Sequence, residues 1–307
     1  MDGILNINKP VGPTSHDIVV RLRRIIHPKR IGHAGTLDPP ATGVLLICLD
    51  NATRITEYLM DLPKRYRATM VLGAETDTQD QTGSILQEFD CSHVNKDMLD
   101  SVLKKFVGTI MQVPPMVSAI HYQGRRLYEL ARSGKTVERV ARPVQVYSIQ
   151  LVDFKPGSRA EATLDIECSR GTYVRTICAD IGRALSCGAY MSSLVRTAIG
   201  KFTVDAAVSV EAVEEKVASG KLGEVIIRID KALEHLPSVK LSSADSRLVV
   251  HGSAVPLHRV DLPFTRLTEG LAVRMYDPEN RLLGIGVVAV SSKGIHIVKP
   301  DKIFVHS

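Results

Sequence analysis

Near the amino terminus one stretch concentrates groups able to do chemistry: Gly32-His33-Ala34-Gly35-Thr36-Leu37-Asp38-Pro39-Pro40-Ala41-Thr42-Gly43. A carboxylate set between glycines and prolines, just before the apolar run Val44-Leu45-Leu46-Ile47, is fixed by a rigid turn beside a buried strand. Turns of this kind hold functional groups on a stiff scaffold. Asp38 is therefore a candidate catalytic carboxylate. The same residues also suit a plainer role, in which Asp38 caps a turn and the glycines supply positive φ.

A second stretch, His121 to Arg142, is basic and nearly free of large apolar runs. It carries Arg125, Arg126, Arg132, Lys135, Arg139 and Arg142. Such a segment is either a grip for a polyanion or a solvated surface loop. The chain of 307 residues has 39 Lys+Arg against 33 Asp+Glu, a formal charge of +6, which fits a nucleic-acid partner without requiring one. The five cysteines, Cys48, Cys91, Cys168, Cys178 and Cys187, show no CxxC spacing. Their odd number argues against a complete disulfide framework, and most sit in apolar runs as small core residues. No cluster of Cys and His has zinc-ligand spacing, and no nucleotide-binding pattern follows the GxG-like pieces, so neither metal nor cofactor is expected.

The elements around these groups read as follows. Ile4, Leu5 and Ile7 form a short strand stopped at Lys9-Pro10. Thr14 and Asp17 have capping-box spacing, and Ile18, Val19, Leu22, Ile25 and Ile26 continue at helical spacing. Arg21, Arg23 and Arg24 fall mainly off that stripe. A helix is predicted over 52–62. Tyr66, Ala68, Met70 and Leu72 alternate along a strand over 65–72. Leu99 to Phe106 reads as a helix stopped by Gly108. Strands are predicted over 144–154 and 160–168, a helix after Gly171-Thr172, and a strand pair over 191–202. Beyond about residue 237 the composition shifts to β-rich runs around 271–276, 282–290 and 295–298, with one helical piece over 244–250.

Mixed strands and helices without strict βαβ alternation indicate an α+β fold. The large domain, residues 1–237, is expected to be a mostly antiparallel mixed sheet flanked by helices, with the basic insertion at 121–142. Residues 238–307 are expected to be a small β-barrel domain. At 44% hydrophobic residues the chain can bury a sizeable core. The amino-terminal MDGILNINKP carries no long apolar stretch and no window is long enough for a membrane span, so the cytosol is expected. Separately, a large nucleic-acid partner able to occupy one subunit's face makes a monomer the expected state.

Four segments carry a family resemblance. GHAGTLDPPATGVL, Gly32 to Leu45, resembles the catalytic motif of the TruB family of tRNA pseudouridine-55 synthases. KRYRATMVLGAETDTQDQTG, Lys64 to Gly83, resembles its second signature. PPMVSAIHYQGRRLYELARSGK, Pro114 to Lys135, resembles its RNA-binding insertion, and CSRGTYVRTICADIG, Cys168 to Gly182, its third signature. The four occur in the family's order, and the β-rich end resembles the PUA domain, an RNA-binding module. Two positions depart from the pattern: Pro40 where Leu is usual and His121 where Lys is usual.

The resemblance implies a pseudouridine synthase fold and an isomerase that detaches uracil from its sugar, turns it and rejoins it through carbon. The implied target is uridine 55 in the T-arm stem-loop of tRNA, with no cofactor and no obligatory protein partner. Asp38 becomes the catalytic carboxylate; whether it attacks the sugar, attacks the base or abstracts a sugar proton stays open. Arg175 becomes its cationic partner, and Tyr66 stacks on the target base and helps remove the proton from carbon 5. Tyr173 and Leu194 line the uridine pocket. His33 fills the space left by a flipped base. Arg125, Arg126, Arg132, Lys135 and Arg142 hold the RNA. The alternative is a non-catalytic RNA-binding or tRNA-folding protein, which would have no need of the Asp38 carboxylate. A structural subunit of a guide-RNA particle fits less well, because the chain has no long basic tails.

Overall fold

In chain order the strands of the computed structural model are β1 (Gly3–Lys9), β2 (Ile31–His33), β3 (Thr42–Leu49), β4 (Lys64–Leu72), β5 (Ala74–Thr76), β6 (Ile85–Glu88), β7 (Gly108–Gln112), β8 (His121–Tyr122) and β9 (Arg125–Arg126). They continue with β10 (Arg142–Lys155), β11 (Glu161–Cys168), β12 (Ala189–Ile199), β13 (Phe202–Thr203), β14 (Ser238–Lys240), β15 (Val255–Pro256), β16 (Ala272–Tyr276), β17 (Leu282–Val290) and β18 (His296–Ile303). The helices are α1 (Ser15–Ile26), α2 (Thr56–Asp61), α3 (Lys96–Leu103), α4 (Leu127–Arg132), α5 (Val174–Ala184), α6 (Val210–Ala218), α7 (Ile229–Ala232) and α8 (Ser243–Val250). The structure describes residues 2–118, 121–122, 124–135, 137–260, 268–292 and 294–304.

The large sheet runs β1-β3-β12-β4-β11-β10-β7, with β2 added to β3 and β13 to β12. Every pairing in it is antiparallel except β12 on β3. The expected mixed, mostly antiparallel sheet is therefore the observed one. Strand β3 is buried on both faces, which is why it reads as an unbroken apolar run. Val44, Leu46 and Cys48 enter one core cluster with α2 and α7, while Leu45, Ile47 and Leu49 enter another beneath α1 and α6. A third cluster gathers Ala68, Met70 and Leu72 of β4, the inward residues of β11, and Ile177, Cys178 and Ile181 of α5. The alternation of β4 puts its even-numbered residues on that core side, as expected. All five cysteines are free and buried.

The carboxy-terminal strands form a separate five-stranded sheet, β14-β16-β17-β18-β15, around its own core of Val239, Val273, Met275, Val288 and Val298. It is docked against the core cluster that β3 shares with α2. Ile285 packs into the cluster of β3, Arg54 donates to the Ile303 carbonyl, and Tyr58 donates to Asp301 at 3.0 Å.

Some elements differ from the reading of periodicity. The segment 52–62 opens as a 3-10 turn over Asp50–Ile55 and becomes α-helical only from Thr56. The span 191–202 is one long strand with a two-residue partner rather than an even pair. Helix α6 lies where no element is predicted; Ser209 caps it by accepting from Ala212 N at 3.1 Å. The Thr14 capping box on α1 is formed in both directions.

Candidate active site

Arg175 is the hub of the site. It sits in the first turn of α5, where the helix dipole disfavours a cation, so its charge needs acids close by. Two are present. Nη2 lies 3.1 Å from Asp38 Oδ2 and Nη1 lies 3.1 Å from Asp80 Oδ2. Nη2 also donates to the Val117 carbonyl at 2.8 Å. The guanidinium is 4% exposed and Asp80 is 6%, whereas Asp38 is 42% exposed, so the outer carboxylate faces solvent over a buried ion pair. The other oxygen of Asp80 accepts from the Thr78 hydroxyl at 2.8 Å and from the amide and hydroxyl of Thr82. Burial, the largest single influence, pushes the Asp80 carboxyl up. The Thr82 and Thr78 hydrogen bonds and Arg175 outweigh it and leave the acid below its ordinary value.

The start of α5 is set from the edge of the sheet. The buried Gln112 amide donates to the Tyr173 carbonyl at 3.0 Å and accepts from the Tyr173 amide at 2.8 Å. The Tyr173 ring lies 5.9 Å from the Arg175 guanidinium carbon.

The Asp38 loop hangs from buried polar side chains. Lys9, fully buried, donates through Nζ to the carbonyls of Pro10 (2.9 Å), Pro39 (3.2 Å) and Ala41 (2.8 Å). Ser15 clamps Leu37 from both sides, accepting from its amide at 2.8 Å and donating to its carbonyl at 3.1 Å. Arg196 donates to Val44 O (2.7 Å), Thr36 O (3.2 Å) and Gly35 O (3.2 Å). Burial pulls the Lys9 ammonium down to about 8, with Asp38 opposing and Arg196 assisting that shift.

Two phenols sense the Asp38 charge. The hydroxyls of both Tyr66 and Tyr173 are pushed up, chiefly by burial, with Asp38 adding to the shift and a neighbouring arginine opposing it. Tyr66 faces Arg196 directly across the β4–β12 pair, and Leu194 faces Ala68 one pleat further on, so Tyr66 and Leu194 are diagonal neighbours on one face. His33 ends β2; its Nδ1 is buried without a hydrogen-bond partner among the described residues, and burial, then Arg196, lowers its pKa.

Asp38, Arg175, Tyr66 and Tyr173 are thus brought together, with Leu194 beside Tyr66 and His33 at the foot of the loop. The side chains of Arg125, Arg126 and Arg132 lie outside the described residues. Lys135 and Arg142 are exposed. Reasoning from the sequence missed Asp80, Lys9, Ser15, Gln112 and Arg196. Arg196 carried a signal: a lone charge inside the apolar run Leu194-Val195-Arg196-Thr197-Ala198-Ile199. Among the described residues no group of three or more His, Cys, Asp or Glu could hold a metal ion, and no helix is long and apolar enough to cross a membrane.

Comparison with known proteins places this fold among the pseudouridine synthases. A chain in the crystal structure of a Cbf5-Nop10-Gar1 complex superposes with a TM-score of 0.78 at 28% identity, covering 99% of this chain and 85% of that one. A chain of an H/ACA RNP bound to a substrate RNA containing 2'-deoxyuridine gives 0.76 at 26% identity, covering 99% and 85%. Residues 23–174 match the family model for the TruB family pseudouridylate synthase N-terminal domain. Residues 175–234 match the tRNA pseudouridylate synthase B C-terminal domain, and residues 237–293 the C-terminal model of pseudouridine synthase II TruB. The tRNA pseudouridine synthase B of Moorella thermoacetica is 43% identical over 302 residues, 98% of both chains. That of Dehalococcoides mccartyi strain BAV1 is 43% identical over 286 residues, 93% of this chain and 92% of the relative. The chain belongs to the TruB family of pseudouridylate synthases, and it is an enzyme of that class.

Proposed function

We propose that this enzyme converts uridine 55, in the T-loop of tRNA, to pseudouridine, with Asp38 as the group that acts at the reacting nucleotide. The relatives named tRNA pseudouridine synthase B support tRNA as the substrate. The observation that carries the role of Asp38 is its half-exposed carboxylate 3.1 Å from a buried guanidinium. The net change is an isomerisation: the bond from the sugar's anomeric carbon to N1 breaks, a bond to carbon 5 forms, carbon 5 gives up a proton and N1 gains one. Asp38 serves as nucleophile or base in this sequence, held in place by the Arg175 guanidinium 3.1 Å away.

The target lies within a folded loop, so it is flipped out to reach Asp38. Tyr66 stacks on the extracted base and assists removal of the carbon-5 proton, Tyr173 and Leu194 line the pocket, and His33 occupies the vacated space. Arg125, Arg126, Arg132, Lys135 and Arg142 hold phosphates of the loop. Residues 1–237 form the catalytic domain, carrying the insertion at 121–142. Residues 238–307 form an RNA-binding domain that contacts a distant part of the tRNA.

Tritium release from carbon 5 of labelled uridine in a tRNA transcript tests the reading. Asp38→Asn is expected to release none while binding tRNA as tightly as the parent, because affinity resides in phosphate contacts elsewhere. Continued turnover by Asp38→Asn would remove this residue from the mechanism.

A further inference from the structure

Arg196 is the feature that the chemistry above leaves unused. Its side chain is 1% exposed, and it is one of the largest fully buried residues in the protein. Among the described residues it forms no ion pair. A buried cation without a counter-ion is costly, and an apolar residue would fill a merely structural position at lower cost. What offsets the cost is a set of three charge-assisted hydrogen bonds, to the carbonyls of Gly35, Thr36 and Val44. Those carbonyls bracket Asp38 on both sides.

The backbone at the same residue explains why the side chain is needed. Strand β12 touches the loop-bearing strand β3 through only two parallel pairs, Val195 with Thr42 and Arg196 with Gly43. Strand β3 is held on its other side by seven pairs with β1, so this short ladder is the loop's weakly paired flank. Arg196 also stands opposite Tyr66 in the antiparallel β12–β4 pair. It therefore meets both the strand leading out of the Asp38 loop and the strand carrying the stacking ring. The approach to β3 depends on Gly43: a Cβ there would fall 2.3 Å from the Arg196 carbonyl oxygen, on a backbone with φ of +100°.

We propose that Arg196 is a positioning residue that fixes the Asp38 loop relative to the Tyr66 ring, so that carboxylate and ring meet the same flipped nucleotide. The inference rests on the roles assigned above to Asp38 and Tyr66. Arg196 itself touches no substrate, so its loss acts on the chemical step and not on RNA affinity.

The test compares Arg196→Met and Arg196→Lys with the parent and with Asp38→Asn. Four quantities are measured: kcat and KM for tritium release, tRNA affinity, melting temperature, and amide hydrogen exchange over residues 34–44. Arg196→Met is expected to lower kcat by on the order of 100-fold, the scale of an ångström-sized misplacement, with KM and affinity unchanged. Exchange at Leu37 and Ala41 should quicken. Arg196→Lys, which keeps the charge but cannot span three carbonyls, should recover part of kcat. A kcat that falls only in proportion to the folded fraction overturns the proposal, as does a parent-like kcat in Arg196→Lys. If Arg196→Met does not fold, Arg196→Lys decides alone: reduced kcat at parental affinity and melting temperature supports positioning, and parental kcat refutes it. An active Asp38→Asn sinks the reading of the site, whereas an inactive Asp38→Asn beside a parent-like Arg196→Lys sinks this inference only.

Discussion

Asp80 and Arg175 form a buried ion pair, Nη1 to Oδ2 at 3.1 Å, directly behind the exposed Asp38 carboxylate. Removing one partner of such a pair strands the other charge, at a cost of about 3–5 kcal/mol. Asp80→Asn is therefore expected to lower the melting temperature at neutral pH and to depress turnover by loosening Arg175. The Asp80 carboxyl is held below 3.8, so its contribution is complete above that pH and is lost as pH falls through its depressed value. The stability gap between parent and Asp80→Asn should narrow below about pH 4. Melting curves from pH 7 to pH 3 check this; parallel losses across the whole range would contradict it.

Arg175→Lys separates charge from geometry. The guanidinium spreads two nitrogens over Asp38, Asp80 and the Val117 carbonyl. A single ammonium keeps the charge but cannot reach all three. Losing one charged hydrogen bond worth about 1.5–3 kcal/mol corresponds to roughly 10- to 150-fold. Turnover should fall by that order while tRNA affinity stays put. An unchanged kcat would show that any cation at this position suffices.

How far these residues were visible in the sequence depended on what each one does. The strands and helices with a buried face, β1, α1, β4 and α5, announce themselves through apolar spacing. Asp38 is legible because glycines and prolines mark its loop, and Arg175 and Tyr66 because they stand in motifs. Lys9 was not: before Pro10 it looks like the polar end of a strand, and only the fold reveals that its ammonium reaches back to carbonyls 30 and 32 residues away. Asp80 sits within the second family signature, yet nothing local says that its partner is 95 residues distant. Helix α6 escaped because its apolar positions, Val210, Val213 and Val217, are few and β-branched, a composition that favours strands.

Tyr66→Phe tests whether the phenol does more than stack. Burial keeps that hydroxyl protonated at neutral pH, with the Arg196 charge opposing the shift only in part. If the phenol takes the carbon-5 proton, tritium release by the parent should quicken as pH rises, and Tyr66→Phe should bind tRNA but show little release at any pH. Lys9 loses its charge near pH 8 in both proteins, so each comparison is made at a single pH. Release by Tyr66→Phe equal to the parent would leave the ring a stacking role alone.

The exposed ends of the basic insertion test how the RNA is held. Lys135 and Arg142 both face solvent, Arg142 as the first residue of β10 at the edge where β7 ends. If they reach phosphates, the double substitution Lys135→Ala and Arg142→Ala should weaken tRNA binding without regard to the bases nearby, since phosphate contacts carry little sequence information. Fewer counterions would also be released, so the plot of log affinity against log salt should flatten by about 0.7 for each phosphate of single-stranded RNA no longer neutralised. kcat at saturating tRNA should hold, because neither residue is among those that position Asp38. The carboxy-terminal sheet needs a different perturbation. Deleting it would uncover the cluster that Ile285 shares with β3, and the resulting instability would mask any direct effect on RNA binding. Changing the exposed Arg247 and Lys299 to Ala avoids that. The insertion variant should then bind whole tRNA and an isolated T-arm stem-loop with equal reductions in affinity, while the carboxy-terminal variant should bind only whole tRNA more weakly. Equal reductions by both variants on both RNAs would refute two separate RNA-binding regions.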